Sequence, residues 1–304
     1  MLVMMFPFVI ATVLLAGQRP PPEDLVETGA RPQKVVFGFQ FAEGPVWTHH
    51  KCLLWSDYHA DTVFELQNGV AVPIIKPSQL ANGHAVDATG NLFSCLTGGR
   101  KVVRTDLTGK TTIIADGLDG KKLNGPADIA VRSDGAVFFT DPLVTMSPQK
   151  SELNYSGVYE VSTDGKLDLV SKELVFPNGL ALSPDEKKLY VVDTAGHRIS
   201  IYDVAPSGSL SGGKIFAYIT GEDAGAADGI KVDTRGDVYC SGPGGIHIFN
   251  SDGKFLGLIK TMDVVTNFCF GDDDLKTLYI TSLHTIFKIR VKVAGIAYGR
   301  KAGH

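Results

Sequence analysis

The sequence predicts an all-β protein, a six-bladed β-propeller of four-stranded blades whose ring is closed by an N-terminal strand. Three observations carry that expectation. One strand pattern recurs six times, a polar, glycine-bearing pattern precedes each recurrence, and apolar residues alternate in twos without a convincing long amphipathic helix.

The recurring strand ends on an acidic or small residue: "LLWSD" from Leu53, "LFSCL" from Leu92, "VFFTD" from Val137, "LYVVD" from Leu189, "VYCSG" from Val238 and "LYITS" from Leu278. The starts lie 39, 45, 52, 49 and 40 residues apart, the period expected of propeller blades. Just upstream stand "EGPVW", "NGHAVDATGN", "ADIAVRSDGA", "NGLALSPDEKK", "DGIKVDTRGD" and "NFCFGDDDLK". Their turns supply the Gly and Asp that hairpins require, so each unit begins strand, hairpin, strand. Pieces such as "VVRTDLTGKTTIIA" and "VYEVSTDGKLDLVS" read as a second hairpin and complete four strands. Arranged radially, each blade buries both faces against its neighbours. The last unit, ending in "TIFKIRVKVAG", is one strand short. Val35 to Gln40 of "QKVVFGFQ" is therefore expected to pair on its outside, leaving no open edge.

The chain divides into a signal segment (1–17), a linker (18–34), the propeller (35–295) and a short tail (296–304). The apolar run "MLVMMFPFVIATVLLAG" predicts export, to the periplasm or outside the cell, although its first basic residue is Arg19. From Leu2 to Ala16 it spans roughly 22 Å as a helix, short for a bilayer core of about 30 Å. An uncleaved anchor and a cytoplasmic location are the competing accounts. A net charge of −4 without a long basic run excludes the footprint of a nucleic-acid binder and leaves a small molecule as the natural partner of a monomer or weak oligomer. Cys52, Cys95, Cys240 and Cys269 form no CxxC pair, which argues against a zinc ribbon and for buried thiols, with one disulfide open to an exported protein.

The innermost strand of each blade lines the central channel, so residues at its start converge at one mouth. In repeat order these are Glu43, Asn82, Ala127 followed by Asp128, Asn178, Asp228 and Asn267. Carboxylates and amides in a ring offer hard oxygen donors, suited to Ca²⁺ and compatible with Mg²⁺, Mn²⁺ or Zn²⁺. Glu43 and Asp228 together neutralise one divalent ion. The competing account is that Asn and Asp before Gly only form turns or caps. Asp57, Asp141, Asp193 and His284, at the returning ends of the second strands, are expected to stabilise blades through hydrogen bonds.

The blocks "FAEGPVW", "KLNGPADIAVRSDGAVFFTDP", "FPNGLALSPDEKKLYVVDT" and "ADGIKVDTRGDVYCSGPGGIHIF", with "NGHAVDATGNLFSC" and "TNFCFGDDDLKTLYIT", resemble the gluconolactonase, regucalcin and senescence-marker-protein family over roughly residues 35 to 295. The resemblance implies a propeller with a divalent metal in its channel and hydrolysis of sugar lactones or related esters. It implies Glu43, Asn178 and Asp228 as metal ligands and supports Asp228 as general base; Asn82, Asp128 and Asn267, from the repeat positions, and Asn124 are the candidates for contact with the metal or substrate. One position departs: this chain has "PAD" where the family has "PND", so Ala127 replaces an Asn, weakening catalysis unless Asn124 or Asn82 compensates. A non-catalytic ligand-binding propeller is the alternative, and a metal-free enzyme resembling strictosidine synthase a further one. Substrate choice is expected to lie in mouth loops such as Leu143–Gly157, which carries Tyr155.

Overall fold

The computed structural model describes residues 20–143 and 151–297, and the segment read as a signal lies outside them. The regular elements among the described residues are β-strands, arranged as six four-stranded antiparallel sheets. From the channel outward the first blade is Ala42–Trp47, Leu53–Asp57, Thr62–Gln67 and Val70–Ile75. The second begins at Ala81–Val86, the third at Ile129–Val131, the fourth at Pro177–Leu182 and the fifth at Ile230–Val232. The sixth consists of Val265–Gly271, Thr277–Ser282 and Thr285–Arg290, with Gln33–Phe37 added on its outside. A two-stranded hairpin, 117–118 with 121–122, precedes the third blade.

The expected ring closure is therefore present, two to three residues earlier than Val35–Gln40. Gln33 pairs with Lys288 and Phe37 with Thr285 across a bulge. The strand ends at Phe37 because the next residues turn inward to start the first blade. Phe39 packs its ring against Trp55 and Phe64, and the Gln40 and Phe41 N–H groups donate to the Asp57 carboxylate.

The described part of the segment read as a linker is docked rather than free. Leu25 and Val26 are buried with Ile259, Phe287 and Ile289 of the last two blades. The Lys292 N–H donates to the Leu25 carbonyl, and Asp24 pairs with Arg235 at 2.6 Å. Two consecutive apolar residues gain more from covering that inter-blade groove than from remaining in water.

The core lies between blades, where the inner two strands of each sheet are almost wholly buried. Hydroxyls tie each blade to the next near the channel. Ser56 donates to the Asn82 carbonyl, Thr97 to Pro126, Thr140 to Asn178, Thr194 to Ala227, Ser241 to Thr266, and Thr266 to Ala42, completing the circle. All four cysteines are free thiols, and Cys52 is half-buried while the other three are buried.

Candidate metal centre at the channel mouth

Strand register assigns the equivalent positions. His84 pairs with Ser94, Ile129 with Phe139, Leu180 with Val191, Ile230 with Cys240 and Phe268 with Ile280, each partner being the third residue of its recurring motif. Two residues back from the inner-strand member stand Asn82, Ala127, Asn178, Asp228 and Thr266, with Glu43 in the first blade. Thr266, not Asn267, thus occupies the mouth position of the sixth blade. Asn267 and Asp128 sit one step deeper, where four other blades carry Gly44, Gly83, Gly179 and Gly229.

Those glycines reflect close approach of neighbouring strands rather than the turns the sequence also allows. The Gly83 N–H donates to the Ala127 carbonyl, Gly179 to Asp228 and Gly229 to Thr266. A Cβ on Gly83 would lie 2.5 Å from Asp128 Oδ1, and one on Gly229 would overlap Asn267 Oδ1. Space left by two missing side chains is what admits two polar ones to the channel.

Glu43 is buried and accepts the Gly44 N–H at 2.6 Å. Burial pushes its carboxyl up to about 7, and the Asp128 charge adds to that effect. Asp228, half-buried at the mouth, is raised well above the ordinary carboxylate value by burial, by the charges of Glu43 and Asp128, and by a hydrogen bond with Glu43. Asn178 donates through Nδ2 to Thr194 Oγ1 at 3.3 Å, and Thr194 donates onward to the Ala227 carbonyl. This relay fixes the amide and leaves Oδ1 as an acceptor open to an ion.

Among the described residues no three His, Cys, Asp or Glu side chains form a metal-binding group. The set here is instead two carboxyls and an amide oxygen. It fits a hard divalent cation: two carboxyls, both raised above the ordinary carboxylate value, are relieved when a cation replaces the proton. Glu43, Asn178 and Asp228 are the residues that would hold it.

The remaining expected residues do other work. Asn124 donates to the Asp141 and Tyr155 carbonyls and accepts from Ser151, so its amide is committed to the mouth loop and does not substitute for the missing Asn. Tyr155 packs against the second and third blades, with Lys172 Nζ 5.9 Å from its ring centre. Asn82 is half-buried at the mouth, its carbonyl accepting the Ser56 hydroxyl. Ser56 in turn contacts His84 Nε2, and Ser94 contacts Nδ1, each at 2.8 Å. Burial lowers that imidazole to about 4 and keeps it neutral. Since Ser56 donates to Asn82, it accepts from Nε2–H, and Nδ1 accepts from Ser94.

Asp57, Asp141 and Asp193 hold the chain entering each inner strand. Asp141 takes the Asn124 and Gly125 N–H groups at 2.8 and 2.7 Å, Asp193 takes Phe176 at 3.0 Å, and His284 meets the Phe39 carbonyl at 2.9 Å. Lys231, a buried ammonium below the mouth, is the feature that sequence reasoning missed. A lysine in the apolar strand Ile230–Val232 was the available signal.

The class is a six-bladed β-propeller that carries Glu43, Asn178 and Asp228 at equivalent inner-strand positions. The family model described as the SMP-30/Gluconolactonase/LRE-like region matches residues 41–284, and the chain belongs to that family. It is 35% identical to a gluconolactonase of Zymomonas mobilis, covering 84% of this chain and 80% of that one. A pentonolactonase of Haloferax volcanii is 25% identical over 80% of this chain and 81% of its own. The solved structure of a gluconolactonase from Xanthomonas campestris superposes with a TM-score of 0.81 at 31% identity, covering 92% of this chain and 99% of that one.

Proposed function

We propose that the protein is a divalent-cation-dependent hydrolase of sugar lactones or related esters. The observation that carries this is that Glu43, Asn178 and Asp228 stand at the same register position at the heads of three inner strands of one ring, the Asn178 amide held by Thr194. The lactonase names of the relatives supply the substrate class. A bound divalent ion would supply Lewis-acid polarisation of the lactone carbonyl and a lower pKa for an attacking water.

The chain's own residues do the rest. Glu43, from the floor of the mouth, contributes charge and stays fixed by the Gly44 N–H. Asp228 is the more exposed of the two carboxylates and takes the proton from the attacking water at a carboxylate oxygen. Asp141 holds residues 124 and 125 beside the opening, and Asp128 with Asn267 occupies the channel below. Ala127 is the observation favouring a binding propeller instead, since its methyl offers nothing to ligand or ion.

The test is hydrolysis across a panel of aldonolactones and aryl esters, before and after chelation. Turnover that chelator abolishes and added Ca²⁺ restores is expected. Asp228→Ala is expected to lose at least about a hundredfold in kcat/KM, the usual scale for a general base. Turnover indifferent to chelator, or none on any substrate, overturns the reading.

A further inference from the structure

Beneath Glu43 and Asp228 the channel holds one more carboxylate and one cation. Lys231 is 7% exposed, and its Nζ lies 3.0 Å from the Ile230 carbonyl oxygen, 3.1 Å from Asn267 Oδ1 and 3.8 Å from Asp128 Oδ2. Asn267 Nδ2 donates to the same Asp128 oxygen at 3.4 Å, and the Phe268 ring centre is 5.9 Å from the ammonium. Asp128 and Asn267 come from the third and sixth blades, opposite each other in a ring of six, so this network crosses the channel. A buried ammonium is expensive unless paired, and an apolar side chain of similar length would pack here without that penalty. The ammonium's field reaches both carboxyls above it, opposing the rise in Glu43 and in Asp228.

We propose that Lys231 and Asp128 set the net charge of the channel so that the mouth site prefers a divalent over a trivalent cation. The inference rests on the reading of Glu43, Asn178 and Asp228 as ligands. Once an ion has displaced the protons of Glu43 and Asp228, these two and Asp128 carry three negative charges and Lys231 one positive, which leaves two for the ion to cancel. In Lys231→Met three remain, matching a trivalent ion. In Asp128→Asn one remains, too few for a divalent ion, and the double variant returns to two. Three oxygen ligands do not themselves distinguish ions of similar radius, whereas an uncompensated charge in a desolvated channel does.

The experiment titrates the metal-free protein with Ca²⁺ by calorimetry and with Tb³⁺ by luminescence, and reads the ratio of the two affinities. Lys231→Met is expected to shift the ratio toward Tb³⁺ by at least about tenfold, the scale of one unit charge at short range in a buried site. Lys231→Arg should retain the wild-type ratio. Asp128→Asn should weaken Ca²⁺ by about tenfold or more, and the double variant should regain the wild-type preference. Should Lys231→Met fail to fold, Asp128→Asn against the double variant isolates the lysine charge, and stronger Ca²⁺ binding in the double variant is then expected. Both affinities falling together at an unchanged ratio, or a double variant worse than either single change, overturns the charge-setting role alone. A wild-type protein that binds neither ion overturns the ligand reading as well.

Discussion

Ala127 stands where three other blades present Glu43, Asn178 and Asp228, and its backbone is already fixed. Its N–H donates to the Thr140 carbonyl at 2.9 Å and its carbonyl accepts from Gly83 at 2.8 Å. Ala127→Asn therefore changes the side chain while leaving the strand in place, adding a fourth oxygen to the mouth. Divalent-ion affinity measured by calorimetry is expected to rise about tenfold, since ligand number tunes such sites steeply. A fall in affinity would mean that the mouth is built around the smaller side chain. Neighbouring residues show how far single positions can be read from sequence. Glu43 and Asp228 could be picked out because each stands just before a glycine at the same place in its repeat. The exchange of Asn267 for Thr266 could not, because the sixth repeat lacks the glycine that follows Glu43, Asn82, Asn178 and Asp228 and so carries no local mark of the position.

At the scale of elements, the strand Gln33–Phe37 matters more than its length suggests. It covers the outer edge of Thr285–Arg290, whose Ile286 and Phe287 are buried, and it leads directly into the Phe39, Trp55 and Phe64 aromatic contacts of the first blade. Removing residues 1–37 leaves that edge unpaired and strips Leu25 and Val26 from the groove between the last two blades. The truncated protein is expected to melt at least about 10 °C lower, given roughly 2–4 °C per kcal/mol for a domain of this size and several buried apolar side chains lost. A truncated form melting within about 2 °C of the intact protein would show that closure rests elsewhere, on the inner hydroxyl contacts. The need for this strand could be read from a last unit lacking one. Its register could not, because the bulge between Lys34 and Val36 is set by where Phe39 must enter the first blade.

For the whole molecule, the mouth couples folding to pH and to the ion. Burial raises the Glu43 carboxyl from its ordinary 4.5 to about 7, and Asp228 is raised as well. Across that interval the folded protein binds more protons than the unfolded chain, so stability falls as pH rises from about 4.5 through 7. An ion that binds only the folded, deprotonated pair opposes the loss. Thermal melts of the metal-free protein are therefore expected to drop by several degrees between pH 5 and pH 8 relative to the same series in millimolar Ca²⁺, at roughly 2–4 °C per kcal/mol. Parallel melting curves with and without Ca²⁺ would break the link between the carboxyl pair and the cation.

The sequence by itself determined the number of blades, their order, the missing strand and three oxygen donors at equivalent places, because alternation, hairpin turns and repeat period are local properties of the chain. Only the tertiary structure decided which polar residues share one space. Thr266 took the mouth position, Asp128 and Asn267 went deeper into room vacated by Gly83 and Gly229, and Lys231 was drawn beneath them. Those outcomes follow from how closely inner strands approach once the ring has closed, a distance that no segment of the chain sets alone.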